Sequence, residues 1–143
     1  VRTTLRWGLA AVFLASALLK LADFDPTWAE MARNLELGDA AAQALVSALV
    51  LGEMALAGAL LLAREGDRRV FGATAALMLV FLAASGWLAL RGAESCGCFG
   101  ARFAMSPAAT AAKNAVMLAA ALWLRRDPGS TPAQPRHLAA GGR

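Results

Sequence analysis

The sequence predicts an all-α, polytopic membrane protein: a four-transmembrane-helix bundle with a short amphipathic helix in its first outer loop. Three observations lead there. The 143-residue chain is 59% hydrophobic and only 17% charged, more apolar surface than a small globule can hide, because small folds have a high surface-to-volume ratio. Its apolar residues fall into four segments, each near the roughly 20 residues a helix needs to cross a bilayer. Its basic residues concentrate in alternate connections, as membrane topology signals do. The net charge of +4 does not indicate nucleic acid, because the cations lie between apolar runs and not in a stripe with aromatics.

The first apolar segment spans residues 7–22, behind Arg2 and Arg6. Charge followed by an apolar run is the order of a signal peptide, but "LLKLADFDP" offers no small-residue cleavage site, so the segment reads as a retained helix. The second spans 40–63 and is interrupted only by Glu53. The third, 70–90, carries no charge, and the fourth, 103–124, contains Lys113. Glycine and alanine are frequent throughout, which suits close helix packing in lipid. The four tryptophans suit the membrane interfaces.

The connections set the orientation. Arg2 and Arg6, then Arg64, Arg68 and Arg69, then Arg125 and Arg126 form three basic regions. Between the first two segments, Arg33 is outnumbered by Asp23, Asp25, Glu30, Glu36 and Asp39, and the last connection holds Arg91, Glu94 and Arg102. The positive-inside rule therefore expects both termini in the cytoplasm and the other two loops outside. Residues 1–126 form the expected membrane domain. Residues 127–143, rich in Pro, Gly and Ser, are expected to be a disordered cytoplasmic tail.

In the first outer loop, "DFDPTWAEMARNLELGD" predicts a short helix. Asp25 can cap it and Pro26 suits its first position. Trp28, Met31 and Leu35 recur at helical spacing, and Gly38 is expected to end it. Such a helix either lies on the outer membrane face as a lid over the bundle or offers a docking surface.

Both cysteines lie in "RGAESCGCFGARF", with only Gly97 between Cys96 and Cys98. Glycine permits the unusual backbone angles that so small a ring needs. A staple normally closes a longer loop, because it then restrains more of the unfolded chain. This pair closes almost nothing and faces the compartment that permits disulfides. Strained or exposed disulfides are the labile ones, so redox exchange is favoured over a passive clip. A closed zinc site needs four ligands, and the only histidine, His137, lies in the expected tail. No metal is expected.

Glu53 falls near the middle of a membrane segment, where an ionisable side chain is a functional candidate by default. Helical rise puts Glu53 roughly 16 Å above the cytoplasmic edge, Lys113 roughly 18 Å and Lys20 about 21 Å. Lysine stems reach several ångströms, so the expectation is a polar cluster of Glu53 with Lys113, Lys20 or both, joined by Asn114. Ion pairing would lower the burial cost. The cluster reads either as a structural bridge or as a group that tunes the thiols. Lys20 could instead snorkel outward.

These residues resemble the methylamine-utilisation MauE family, small membrane proteins related to the DoxX-like group. The resemblance rests on "SALLKLADF", "GEMALAGALLL", Arg91 and Gly92 ahead of "CGCFG" (Cys96, Gly97, Cys98, Phe99, Gly100), and "KN" at Lys113 and Asn114. It covers residues 5 to 124. It implies a four-helix bundle in the bacterial inner membrane and a role in maturing periplasmic methylamine dehydrogenase, beside a thioredoxin-like, MauD-type partner. It also implies that Cys96 and Cys98 are the reacting thiols and that Lys20, Glu53 and Asn114 occupy family-like polar positions, with Lys113 a departure in identity.

The leading expectation is thus a membrane thiol–disulfide module for periplasmic protein maturation, either an oxidoreductase or an accessory. Its partners would be lipid, a thioredoxin-like protein and client thiols, with no nucleic acid and no cofactor. The alternatives are a quinone-linked disulfide oxidase of DsbB or VKOR type, which generally relays through a second cysteine pair that this chain lacks, and a non-enzymatic membrane assembly factor. A small-solute transporter would use Glu53 as a proton site, but four short helices without repeats argue against it.

Overall fold

In a computed structural model, residues 1–63, 67–95 and 105–126 are described. They form five helices: α1 (Arg2–Ala22), α2 (Phe24–Leu35), α3 (Asp39–Leu62), α4 (Arg68–Leu90) and α5 (Pro107–Arg125). There are no strands among the described residues. The expected tail from residue 127 and the cysteine motif fall outside them.

The four long helices share one core. Leu9, Ala10 and Phe13 of α1 meet Ala57 and Leu60 of α3, Phe71, Ala75 and Met78 of α4, and Met117, Ala121 and Leu124 of α5. The main pairings are α1 with α3 and α4 with α5. Large apolar side chains point outward on every long helix, including Leu18, Leu51, Val80 and Val116. Lys20, Glu53, Thr74, Ser85, Thr110 and Asn114 are buried. Polar groups inside and an apolar exterior are what a lipid solvent selects, because a polar group facing hydrocarbon is costly.

Three helices, α1, α3 and α4, are long and apolar enough to cross a membrane. The fourth expected span, α5, has 19 residues and is not in that group, since Lys113 and Asn114 lower its apolarity.

Local chemistry sets the helix ends. Asp67 caps α4 by accepting from the Arg69 and Val70 amides, and Ser106 caps α5 by accepting from the Ala109 amide, with Pro107 in the first turn. These side chains satisfy amides that lack a helical partner. α4 ends in a Schellman motif: the Gly92 amide donates to the Ala89 carbonyl and the Ala93 amide to that of Leu88. Gly92 sits at φ 71°, which glycine adopts freely.

The outer-loop helix differs at both ends from its expected form. α2 starts at Phe24, with Asp23 as the single residue between it and the end of α1 at Ala22. Asp25 does not cap it and instead accepts from the Trp28 indole at 3.2 Å, while Pro26 lies inside the first turn. Its end is made by Glu36 at φ 55°, with the Leu37 amide returning to the Ala32 carbonyl. Gly38 belongs to the start of α3. The apolar face of α2, Phe24, Trp28 and Met31, packs on Ala17, Val46 and Val50 of α1 and α3.

At one end of the molecule the N-terminal arginines hold helix C-termini. Arg2 donates to the Leu124 and Arg126 carbonyls at 2.7 and 2.8 Å and lies over the Trp123 ring at 5.0 Å. Arg6 donates to the Ala63 carbonyl beyond α3. Cations there complement the negative end of the helix dipole. α2 and the residues after α4 lie at the opposite end.

Candidate functional site

Two polar constructions stand out, one in the core and one at the α2 end. In the core, the Lys20 ammonium donates to both carboxylate oxygens of Glu53, at 2.8 Å to Oε1 and 2.9 Å to Oε2. It also donates to Ser16 Oγ at 2.7 Å, and Ser16 Oγ donates in turn to Glu53 Oε1 at 3.1 Å. Lys20 and Glu53 are each 1% exposed. Lys20 therefore does not snorkel to the surface. All three of its N–H groups have acceptors, as a buried ammonium requires.

Ser16 was not among the expected site residues. Its signal was its place four residues before Lys20, on the same helix face. Lys113 and Asn114 of α5 reach the same region. With Ser16 and Glu53 they line a small cavity walled by Phe13 and Met78. Lys113 is half-buried, whereas Asn114 is 1% exposed, and neither amide atom of Asn114 has a protein hydrogen-bond partner.

At the α2 end, Ser95 is held from two sides. Its carbonyl accepts from Asn34 Nδ2 at 3.0 Å, and its hydroxyl donates to Glu30, itself buried. Arg91 pairs with Glu36 at 2.7 Å and covers the Trp87 ring at 4.7 Å. The chain leaving α4 is thereby tied to α2, up to the residue before Cys96. Glu30, Asn34 and Ser95 are further residues that the sequence did not single out. Cys96, Gly97, Cys98, Phe99 and Gly100 lie outside the described residues. Beside Asn34, an apolar cavity of ≈ 180 Å³ runs between α3 and α4, lined by Lys20, Met31, Leu49, Phe81 and Leu88 among others.

Among the described residues, no three His, Cys, Asp or Glu side chains form a group able to hold a metal ion.

A family model described as methylamine utilisation protein MauE matches residues 1–125. The chain belongs to the MauE family. Membership makes it a membrane protein of methylamine utilisation, in keeping with its apolar exterior. The MauE match spans all five helices, and with them Lys20, Glu53, Lys113, Asn114 and both cysteines, and stops ahead of residues 127–143. Comparison with curated proteins and with solved structures gave no match.

Proposed function

We propose that this MauE-family protein is an inner-membrane thiol–disulfide module that supports maturation of periplasmic proteins together with a thioredoxin-like partner. In this reading α5 is the fourth membrane span, both termini are cytoplasmic and the loop of Cys96 and Cys98 faces the periplasm. The arginines at the opposite end of the molecule support that orientation. The exposed apolar side chains of α5, Val116 and Leu122, support its reading as a fourth span.

The observation that carries the reading is the tethering of Ser95, the residue before Cys96, to Asn34 and Glu30 of α2. A pair of cysteines one residue apart does not brace the fold, yet the chain entering it is anchored by two part-buried polar contacts. That arrangement serves presentation of the pair to another protein.

The chemistry is thiol–disulfide exchange. A thiolate of the partner attacks one sulfur of the Cys96–Cys98 disulfide, forming a mixed disulfide and releasing the other cysteine as a thiolate. The partner's second thiol, once deprotonated, displaces the first cysteine. The partner leaves as a disulfide, having lost two electrons, and Cys96 and Cys98 are left as the reduced pair. The reverse sequence oxidises them. The buried Lys20–Ser16–Glu53 network supports this by fixing α1 against α3 beneath the tethered end.

The test is replacement of Cys96 and Cys98 by serine, singly and together, followed by acid trapping of mixed disulfides. A covalent adduct with a thioredoxin-like protein in one single variant, absent from the double variant, is the expected result. Absence of any adduct, with unimpaired maturation of disulfide-rich periplasmic clients, would refute the proposal.

One observation favours a second reading, a quinone-linked oxidase: the apolar cavity between α3 and α4 borders Asn34. It would be marked by reduction of an added ubiquinone analogue at the expense of the dithiol, without a protein partner.

A further inference from the structure

The cavity between Glu53 and Asn114 presents an imbalance. Asn114 is 1% exposed, and both its amide nitrogen and its amide oxygen lack a protein partner. Leaving such a group unsatisfied in an apolar interior forfeits the hydrogen bonds it makes in water and is destabilising. The same side chain could have been a leucine, and its neighbours on α5 are mostly alanine, valine, methionine and leucine.

The other side of the cavity shows the complementary imbalance. An ionised carboxylate offers about four acceptor positions. Glu53 accepts one bond from Ser16 and two from Lys20. An acceptor position is left over, and the cavity lies between that carboxylate and the amide.

The space fits one ligand. The centre of a water molecule has ≈ 10 Å³ to occupy, about the minimum for a single buried water. A buried water needs two to four polar partners, and Glu53, Asn114, Ser16 and Lys113 all line the site. An organic ligand does not fit. The cavity shares Val12, Lys113 and Met117 as a common wall with an open groove between α1 and α5.

We propose that this cavity is a binding site for one buried water that bridges the Asn114 carboxamide to the Glu53 carboxylate. The water donates to Glu53 and bonds one of the two amide atoms of Asn114 through its other hydrogen or a lone pair. The Lys20–Ser16–Glu53 network then continues onto α5, and one polar system joins three helices. The site is independent of the thiol chemistry and stands whether or not Cys96 and Cys98 exchange disulfides.

The full-length protein in lipid nanodiscs provides the test, with water itself as the probe. Infrared difference spectra in H₂¹⁶O and H₂¹⁸O should contain an isotope-sensitive O–H band from an ordered internal water. Asn114→Leu should abolish that band, whereas Ser85→Ala, whose hydroxyl bonds carbonyls of its own helix, should retain it. Asn114→Ala provides a smaller change if the leucine does not fold, and should displace the band. Thermal unfolding supplies an independent readout. Asn114→Leu should lower the melting temperature in the native background and do so less when Glu53→Gln is also present, because bridged residues are coupled. The proposal is overturned if the band persists in both Asn114 variants. It is equally overturned if Asn114→Leu raises the melting temperature by the same amount in both backgrounds, the behaviour of an amide with no ligand.

Discussion

Removing one partner of the Lys20–Glu53 pair is expected to harm the protein more than removing both. Each side chain is 1% exposed and the pair makes two contacts, at 2.8 and 2.9 Å. Lys20→Met would leave the Glu53 carboxylate buried with a single protein donor, Ser16, at 3.1 Å. An uncompensated buried charge of this kind costs about 3–5 kcal/mol. Glu53→Leu would likewise leave the Lys20 ammonium buried with Ser16 Oγ as its acceptor, at 2.7 Å, so its cost should fall in the same range. The double variant Lys20→Met with Glu53→Leu removes both charges and fills the space with apolar atoms. Such replacements range from neutral to a gain of about 1–4 kcal/mol. The assay is reversible unfolding in mixed micelles, followed by the fluorescence of the four tryptophans, for both single variants and the double. If Lys20→Met costs less than about 1 kcal/mol, or if the double variant loses as much as the singles combined, the charges are not paired in the core and the reasoning fails.

The remaining expectations concern the helix ends and the membrane. Asp67→Ala and Ser106→Ala should each cost about 1 kcal/mol in the same unfolding assay, since each removes a side-chain cap. Asp67 should cost more, because it accepts from two amides and Ser106 from one. A membrane-impermeant maleimide, added to reduced intact spheroplasts, should label Cys96 and Cys98. Labelling that requires permeabilisation would reverse the proposed orientation.

Much of the helical layout was legible because hydrophobic run length is a direct physical requirement of lipid. The second and third apolar segments, 40–63 and 70–90, differ from α3 and α4 by one or two residues. Helix ends were less legible, because they depend on local competition. Asp25 and Pro26 have the chemistry of a helix start, yet the chain turns two residues earlier at Asp23. Gly38 has the chemistry of a helix stop, yet Glu36 takes the left-handed position. Helical rise placed Lys20 and Glu53 at compatible heights, and the lysine stem closes the remaining gap. Rise gives height but not the angle around the bundle, so it could not distinguish Lys20, which binds the carboxylate directly, from Lys113, which lines the cavity beside it. Ser16 escaped notice because a serine in an apolar helix commonly bonds its own backbone. The contacts of Ser95 with Asn34 and Glu30 join positions 61 and 65 residues apart, a relation that only the fold creates.

The single-residue joint between α1 and α2 has a mechanical consequence. Asp23 is the only residue separating the two helices, and its carbonyl accepts from both the Thr27 amide and the Thr27 hydroxyl. Three residues before it stands Lys20, and at the far end of α2 stands Asn34, holding the strand of chain that leads into the cysteines. α2 is therefore a short lever with its pivot next to the buried ammonium. If the proposed partner engages the cysteines, a pull on the chain leaving Ser95 would load that lever. The load would be either absorbed by bending at Asp23 or passed to Lys20 and Glu53, two opposite charges held together in the core of the described helices.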